Sequence, residues 1–299
     1  MLSDTSLQSL RDRELLLRSL NGFAPLPDEA IALLAEHSRV RVVREGERLL
    51  ALGEPIHHVY VVLSGSVRWQ RKDRPPQHAG TQNVVGWLTL MARDPNGMDA
   101  VVEHDALLLE LPANTLELAL EDDFAIVRNM LRLGADQLIT VRGQLPAHPD
   151  RVPPLELGPL RAQRRTLAER MIAMRQVPMF KHCNIEALIS LWRTNYEVRV
   201  EPGHVFWKVG DFAPFWLVIE HGHVRCANGA GQVMDVGFGF VLGIMDAIAQ
   251  VPRSYDARAE TLVVGNRVDL SSFLGVLEMH HELAREFLAF FALSVLDPS

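Results

Sequence analysis

Few side chains in this chain stand at spacings that could do chemistry. His221-Gly222-His223 is the H-x-H of the sequence, but a metal site gathers three or more donors and no Glu follows at ligand spacing. His57-His58 and His280-His281 also have no partner at metal spacing. His281-Glu282 is not followed by a second His four positions on, which excludes a zincin helix. No Walker loop, serine elbow or kinase signature is present, so the chain reads as a non-enzyme with no required cofactor and no metal. One group is suited to binding. Arg253, in Val251-Pro252-Arg253-Ser254, follows Gly243-Ile244-Met245-Asp246-Ala247, and a guanidinium can pair bidentately with a phosphate or carboxylate. An ion pair of Arg253 with Asp246 or Asp256 that only shapes an empty loop is the other reading, and the spacing leaves both open.

The elements that carry these residues occur twice. Phe23 aligns with Phe180, Gly46 with Gly203, Gly53 with Gly210, Gly65 with Gly222, Gly86 with Gly243 and Pro95 with Pro252, every pair 157 positions apart (23 to 180, 95 to 252). Glycines mark turns with positive φ or close backbone approach, so shared glycines imply shared turns and a shared fold. Each copy opens with a helix (Pro27 to His37; Asn184 to Thr194). Short Val-rich or alternating strands follow, among them His58 to Leu63, Ser66 to Gln70, Ala106 to Leu111, Phe215 to Glu220 and Gly222 to Cys226. Each copy closes with a helix, Thr115 to Val141, broken near Glu121 to Phe124, and Ser272 to Leu296. The first strands differ in apolar phase, Val40-Arg41-Val42 against Glu197-Val198-Arg199, and a β-bulge would account for this. The fold class expected is α+β, mainly β with flanking helices: two jelly-roll-like β-barrels, each with N- and C-terminal helices.

Five prolines between Pro146 and Pro159 cannot sustain a helix and imply an extended spacer. The expected layout is a first domain over 1–142, the linker over 143–159, and a helix plus second domain over 160–299. Leu160 to Arg175 reads as a helix, Leu160, Leu167, Met171 and Met174 on one side and Arg161, Arg164, Arg165, Arg170 and Arg175 largely on the other. Those arginines read first as a solvated face and second as a site for an acidic partner or a phosphate, and Arg164-Arg165-Thr166 reads as a weak basic motif.

The 299 residues are 48% hydrophobic and 22% charged, the mixture of a folded globular chain. A net charge of −7 argues against a surface built to neutralise DNA phosphates. Two cysteines are too few for a disulfide framework and suit reduced thiols in a cytoplasmic protein. The N-terminus lacks the apolar run of a signal peptide. Phe287 to Leu296 is about half the length of a membrane-spanning helix, so no membrane span is expected.

Arg44-Glu45-Gly46-Glu47-Arg48-Leu49, Gly53-Glu54 and Val59 to Val67 resemble the opening half of a cyclic-nucleotide-binding domain, and Glu201-Pro202-Gly203, Val209-Gly210-Asp211, Trp216 to Ile219 and Gly222-His223-Val224 repeat it. The resemblance covers roughly residues 20–142 and 177–297. Members include catabolite-activator-like regulators and kinase regulatory subunits. It implies a cyclic-nucleotide ligand, cAMP or cGMP, held by a phosphate-binding cassette of the form G-E-L-A … P-R-A/S. There, helix-start amides and one Arg hold the phosphate and the Glu accepts from the ribose 2′-hydroxyl. In the first copy Gly86-Trp87-Leu88-Thr89 has Trp87 for the Glu, and Asn96 stands for the Arg. With Asp94 and Asp99 nearby, Gly86, Trp87, Leu88 and Asn96 form a vestigial site. In the second copy Leu242, Gly243, Ile244, Met245, Arg253 and Ser254 form the candidate site, with Ile244 for the Glu and Asp246 near the amides. Trp87 and Ile244 are also apolar enough to fill the pockets from inside. Asp256 and Arg258, flanking the second cassette, read first as a solvated strand face and second as compensating ligand contacts.

The family's regulators carry a helix-turn-helix after the barrel, and the sequence runs only to Ser299, so no direct DNA binding is expected. Two functions fit. One is a stand-alone sensor whose second barrel binds a cyclic nucleotide or other phosphate ligand weakly, signalling to a protein partner or through a homodimer. The other is a ligand-free interaction scaffold of degenerate barrels.

Overall fold

The computed structural model describes residues 9–20, 23, 24, 26–142, 171, 175, 180 and 183–296. The proline-rich stretch lies outside the described residues, as does the helix expected over 160–175 apart from Met171 and Arg175. The chain divides into two compact units. In the first, α1 (Leu10–Ser19) and α2 (Asp28–His37) precede β1 (Arg39–Val43), β2 (Arg48–Leu50), β3 (His58–Gln70), β4 (Gln77–Ala79), β5 (Val84–Val85), α3 (Trp87–Met91), β6 (Asp99–Pro112) and α4 (Ala113–Asp122). Helix α5 (Phe124–Arg142) follows. The second carries α6 (Ile185–Arg193), β7 (Tyr196–Val200), β8 (Val205–Trp207), β9 (Phe215–His221), β10 (Val224–Asn228), β11 (Val233–Val236), β12 (Val241–Leu242), α7 (Ile244–Ala249), β13 (Tyr255–Ala259), β14 (Val263–Asp269) and α8 (Leu270–Met279), with α9 (His281–Leu296) after it.

The helices begin where their caps dictate. Ser9 accepts from the Asp12 amide at the start of α1, and Asn184 accepts from the Glu186 amide at 2.9 Å at the start of α6. Helix α6 buries Ala187, Leu188 and Leu191 on one stripe, the apolar face that its 3.6-residue period predicts. Helix α1 was not read from the sequence; Leu17 is its one buried residue.

All strand pairs are antiparallel, and both units are jelly rolls. The first is one sheet with the path β1-β6-β3-β4, β2 added on β6 and β5 on β3. The second is two sheets, β11-β10-β13-β8 and β12-β9-β14-β7. Neither unit closes into the barrel expected, because each path ends on edge strands. In the second unit the core lies between the sheets: Trp207, Cys226, Tyr255 and Ala257 from one meet Leu217, Ile219, Leu242 and Val263 from the other. Strand β13 shows the period of two that makes this work, with Tyr255, Ala257 and Ala259 buried and Asp256 and Arg258 outside.

The 157-residue offset extends to strand register. Arg39 pairs with Glu110 and Tyr196 with Arg267; Tyr60 pairs with Val85 and Leu217 with Leu242. The amide of Gly46 donates to the Val102 carbonyl and that of Gly203 to the Ala259 carbonyl. The bulge expected in the first strand is absent: β1 and β7 both pair without a register shift. Strand β1 ends the path of its sheet, and Val42 on it lies exposed. The closing helix of the first unit breaks at Asp123, within the stretch expected. That of the second breaks at the matching His280, whose ring contacts Ser190 Oγ at 3.0 Å, where one continuous helix was expected.

No described helix is long and apolar enough to cross a membrane. Cys183 and Cys226 are separate buried thiols, and burial pushes each pKa up to about 12, which makes them unreactive at neutral pH.

Candidate functional site

The two cassettes share two left-handed backbone points. Gly86 (φ 92°) caps α3 and Gly243 (φ 79°) caps α7, both left-handed, and Arg93 and Gln250 take left-handed conformations at matching points. What the side chains do differs. His221 and His223 take no part: Gly222 is held at φ 90° with the Leu262 carbonyl where a Cβ would go, so it is a turn glycine. Among the described residues no group of three His, Cys, Asp or Glu could hold a metal.

In the first cassette the loop after α3 carries its own anion. Asp94 Oδ1 accepts from the amide and the side-chain amide of Asn96, both at 3.0 Å, and Oδ2 accepts from Arg71 Nη2 at 2.7 Å. The Arg71 and Asp94 side chains are 10% and 7% exposed, so this ion pair is largely out of water. Burial alone would raise the Asp94 pKa, but the bonds from Arg71 and Asn96 outweigh it and hold the carboxyl below its usual range. Trp87 is half-buried and packs against Phe23 with ring centroids 6.3 Å apart. Leu88 is half-buried, Asn96 is exposed and turned back onto Asp94, and Asp99 pairs with Arg48 at 3.1 Å.

In the second cassette the loop carries its own cation, folded inward. Arg253 is 1% exposed. Its Nη1 donates to the Gly243 carbonyl, and its Nη2 donates to the carbonyls of Ala213, at 2.7 Å, and Phe215. Its Cζ lies 4.2 Å from the centroid of the Trp207 ring, a cation–π contact. Gly243 is required twice over, by its φ and because a Cβ there would run into this guanidinium. Asp246, also buried, stands 3.8 Å from Nη1 and accepts from Ser254 Oγ at 3.2 Å. Burial raises the Asp246 pKa against the opposing pull of Arg253 and Ser254, and burial lowers that of Arg253. Arg253 Nε and Trp207 Nε1 are buried without a hydrogen-bond partner.

Of the residues singled out in the second copy, Leu242, Gly243, Ile244 and Arg253 are buried, and Met245 and Ser254 are half-buried. Asp256 is exposed, and it caps the preceding turn by accepting from the Val209 amide at 2.6 Å. Sequence reasoning did not find Arg71, Trp207 or the carbonyls of 213 and 215. Arg71 lies 23 positions from Asp94, and a carbonyl carries no side-chain signature, so no local spacing could have revealed them.

Residues 40–123 match the family model of the cyclic nucleotide-binding domain. No curated protein matches the chain in sequence. Among solved structures the chain is similar to the regulatory domain of Toxoplasma gondii PKA crystallised with cAMP, at 14% identity over 95% of this chain and 98% of that one, TM-score 0.37. It is similar to the regulatory subunit of a cAMP-independent protein kinase A from Trypanosoma brucei, at 14% identity over 94% and 91%, TM-score 0.36. The sensor domain of the transcriptional regulator DNR from Pseudomonas aeruginosa is similar at 21% identity over 42% of this chain and 92% of its own, TM-score 0.38.

Proposed function

We propose, on the premise that residues 40–123 are a cyclic nucleotide-binding domain by family match, that this is a non-catalytic cytoplasmic regulatory protein. It works as an interaction scaffold with no nucleotide needed. Its layout is a first module over 1–142, a spacer over 143–159 and a helix with a second module over 160–299, and it acts through a protein partner or a second copy rather than through DNA. One observation carries the reading. Arg253, the cassette group suited to a ligand phosphate, has both terminal nitrogens engaged by main-chain carbonyls inside the fold. A ligand phosphate would have to replace those charged hydrogen bonds, worth about 1.5–3 kcal/mol each, without the ribose contact that Ile244 cannot make.

A second reading is favoured by Arg253 Nε, which is buried without a partner. In it, Leu242, Gly243, Ile244, Met245, Arg253 and Ser254 respond weakly to a cyclic nucleotide, cAMP or cGMP, or to another phosphate. Gly86, Trp87, Leu88 and Asn96 remain vestigial in both readings.

Calorimetric titration of the full chain with cAMP and cGMP separates the two. The scaffold reading expects no saturable heat and no rise in melting temperature. Saturable binding abolished in Arg253→Lys would replace it with the sensor.

A further inference from the structure

The loop after α3 holds an Asn-Gly pair, Asn96-Gly97, whose glycine is fixed by the fold. Gly97 stands at φ 62°, and a Cβ on it would lie 2.8 Å from the Glu54 carbonyl oxygen, so no other residue fits. Asn96 is exposed. Its Nδ2 donates to Asp94 Oδ1 at 3.0 Å, and its carbonyl accepts from the Gly53 amide at 2.7 Å. The turn from Asp94 to Gly97 is closed by the Gly97 amide donating to the Asp94 carbonyl at 3.0 Å. A second pair, Asn228-Gly229, starts at the end of β10 and is held quite differently. Asn228 is 8% exposed; its Nδ2 donates to Gln232 Oε1 at 2.8 Å, and its Oδ1 accepts from the amides of Ala230 and Gln232. The third pair, Asn21-Gly22, lies outside the described residues.

A glycine has no Cβ beside its nitrogen, so in an Asn-Gly pair the main-chain nitrogen reaches the asparagine side-chain carbon with least obstruction. We propose that Asn96 is a site of spontaneous deamidation that loosens the first cassette as the protein ages. Water is the only co-reactant. Base removes the Gly97 N–H proton, the nitrogen attacks Asn96 Cγ, the Cγ–Nδ2 bond breaks, and ammonia leaves with a proton from solvent. Water then opens the cyclic imide. Opening at Cγ leaves aspartate; opening at the former Asn96 carbonyl carbon leaves isoaspartate, with the chain running through Cβ and Cγ. In both products residue 96 has exchanged its donor to Asp94 for a carboxylate beside it, which sets two like charges together. In the isoaspartate the main chain is one carbon longer, and the turn from Asp94 to Gly97 no longer closes. Asn228 is spared because its side-chain carbon cannot swing towards Gly229 without giving up three hydrogen bonds in a buried position.

Peptide mapping by mass spectrometry of the full chain, aged in mildly alkaline buffer at physiological temperature, tests this directly. In the folded protein the amide-to-acid mass gain should build up about tenfold faster at Asn96 than at Asn228, and in urea the two should react alike. The rate at Asn96 should rise in proportion to hydroxide, and Asn96→Gln, which would need a larger ring, should stay unmodified. Hydrogen exchange of the deamidated fraction should be faster at the amides of 94–97, with the β10–β11 ladder unchanged. An Asn96 that stays intact in the folded chain while the unfolded chain reacts would overturn the site, as would equal rates at Asn96 and Asn228 in the folded chain. Neither result depends on a variant folding. Unchanged exchange at 94–97 after deamidation would overturn the loosening. The step involves no ligand and no partner, so saturable heat with cAMP or cGMP would sink the scaffold reading and leave this one standing.

Discussion

In the loop after α3 an aspartate is held by Arg71, just past β3; in the loop after α7 an arginine is held by carbonyls of its own unit. The backbones that present them share the left-handed glycine that caps each short helix, and they part at Gly97, left-handed where the matching Ser254 is not. The two loops therefore close by opposite electrostatic means on one scaffold. The difference teaches that a cassette is defined less by its glycine turn than by what satisfies its charged groups. A charge buried in such a loop has to find an internal partner.

The largest test of that contrast is truncation of matching residues. Arg253→Ala leaves three carbonyls and Asp246 without their partner and should cost about 3–5 kcal/mol in denaturant unfolding, whereas Asn96→Ala should cost under about 1 kcal/mol. Equal losses would mean that Arg253 is not structurally engaged.

Acid offers an intermediate effect with opposite signs. The Asp94 pKa is lowered in the fold, so its contribution to stability is present at neutral pH and is lost as pH falls through the aspartate range near about 4. The Asp246 pKa is raised, so the folded state binds a proton before the unfolded state does, and its contribution improves as pH falls from neutral. Relative to wild type, the melting temperature of Asp94→Asn should therefore rise on acidification and that of Asp246→Asn should fall. Parallel curves would erase the distinction between the cassettes.

The smallest effect is one on which the two copies should agree. Arg93 (φ 50°) and Gln250 (φ 58°) are both left-handed, and glycine at either should stabilise by roughly 0.5 kcal/mol. A gain at one position only would show that the shared backbone is less alike than its register implies.

Reading these residues from sequence succeeded unevenly. Gly46, Gly53, Gly65 and Gly86 and their partners 157 positions on marked the turns, because a positive φ restricts residue type at the position itself. The break at Asp123 was legible, but its counterpart at His280 was not, since Leu270 to Leu296 is apolar enough to read as continuous helix. The phase difference in the first strands suggested a bulge, where an edge strand simply tolerates Val42 in solvent. Arg253 was identified as the decisive group, with binding and an internal ion pair both open. Neither reading included main-chain carbonyls as its partners.

The amino-acid sequence by itself determined the 157-residue repeat and the turn positions that its glycines mark. Each of these is a matter of residue type at a position. The tertiary structure alone decided where charge is satisfied: Arg71 reaching Asp94, and Arg253 lying under Trp207 against the carbonyls of 213, 215 and 243. Those partners are distant in the chain and several of them are backbone, and every residue type offers the same carbonyl, so only folding selects among them.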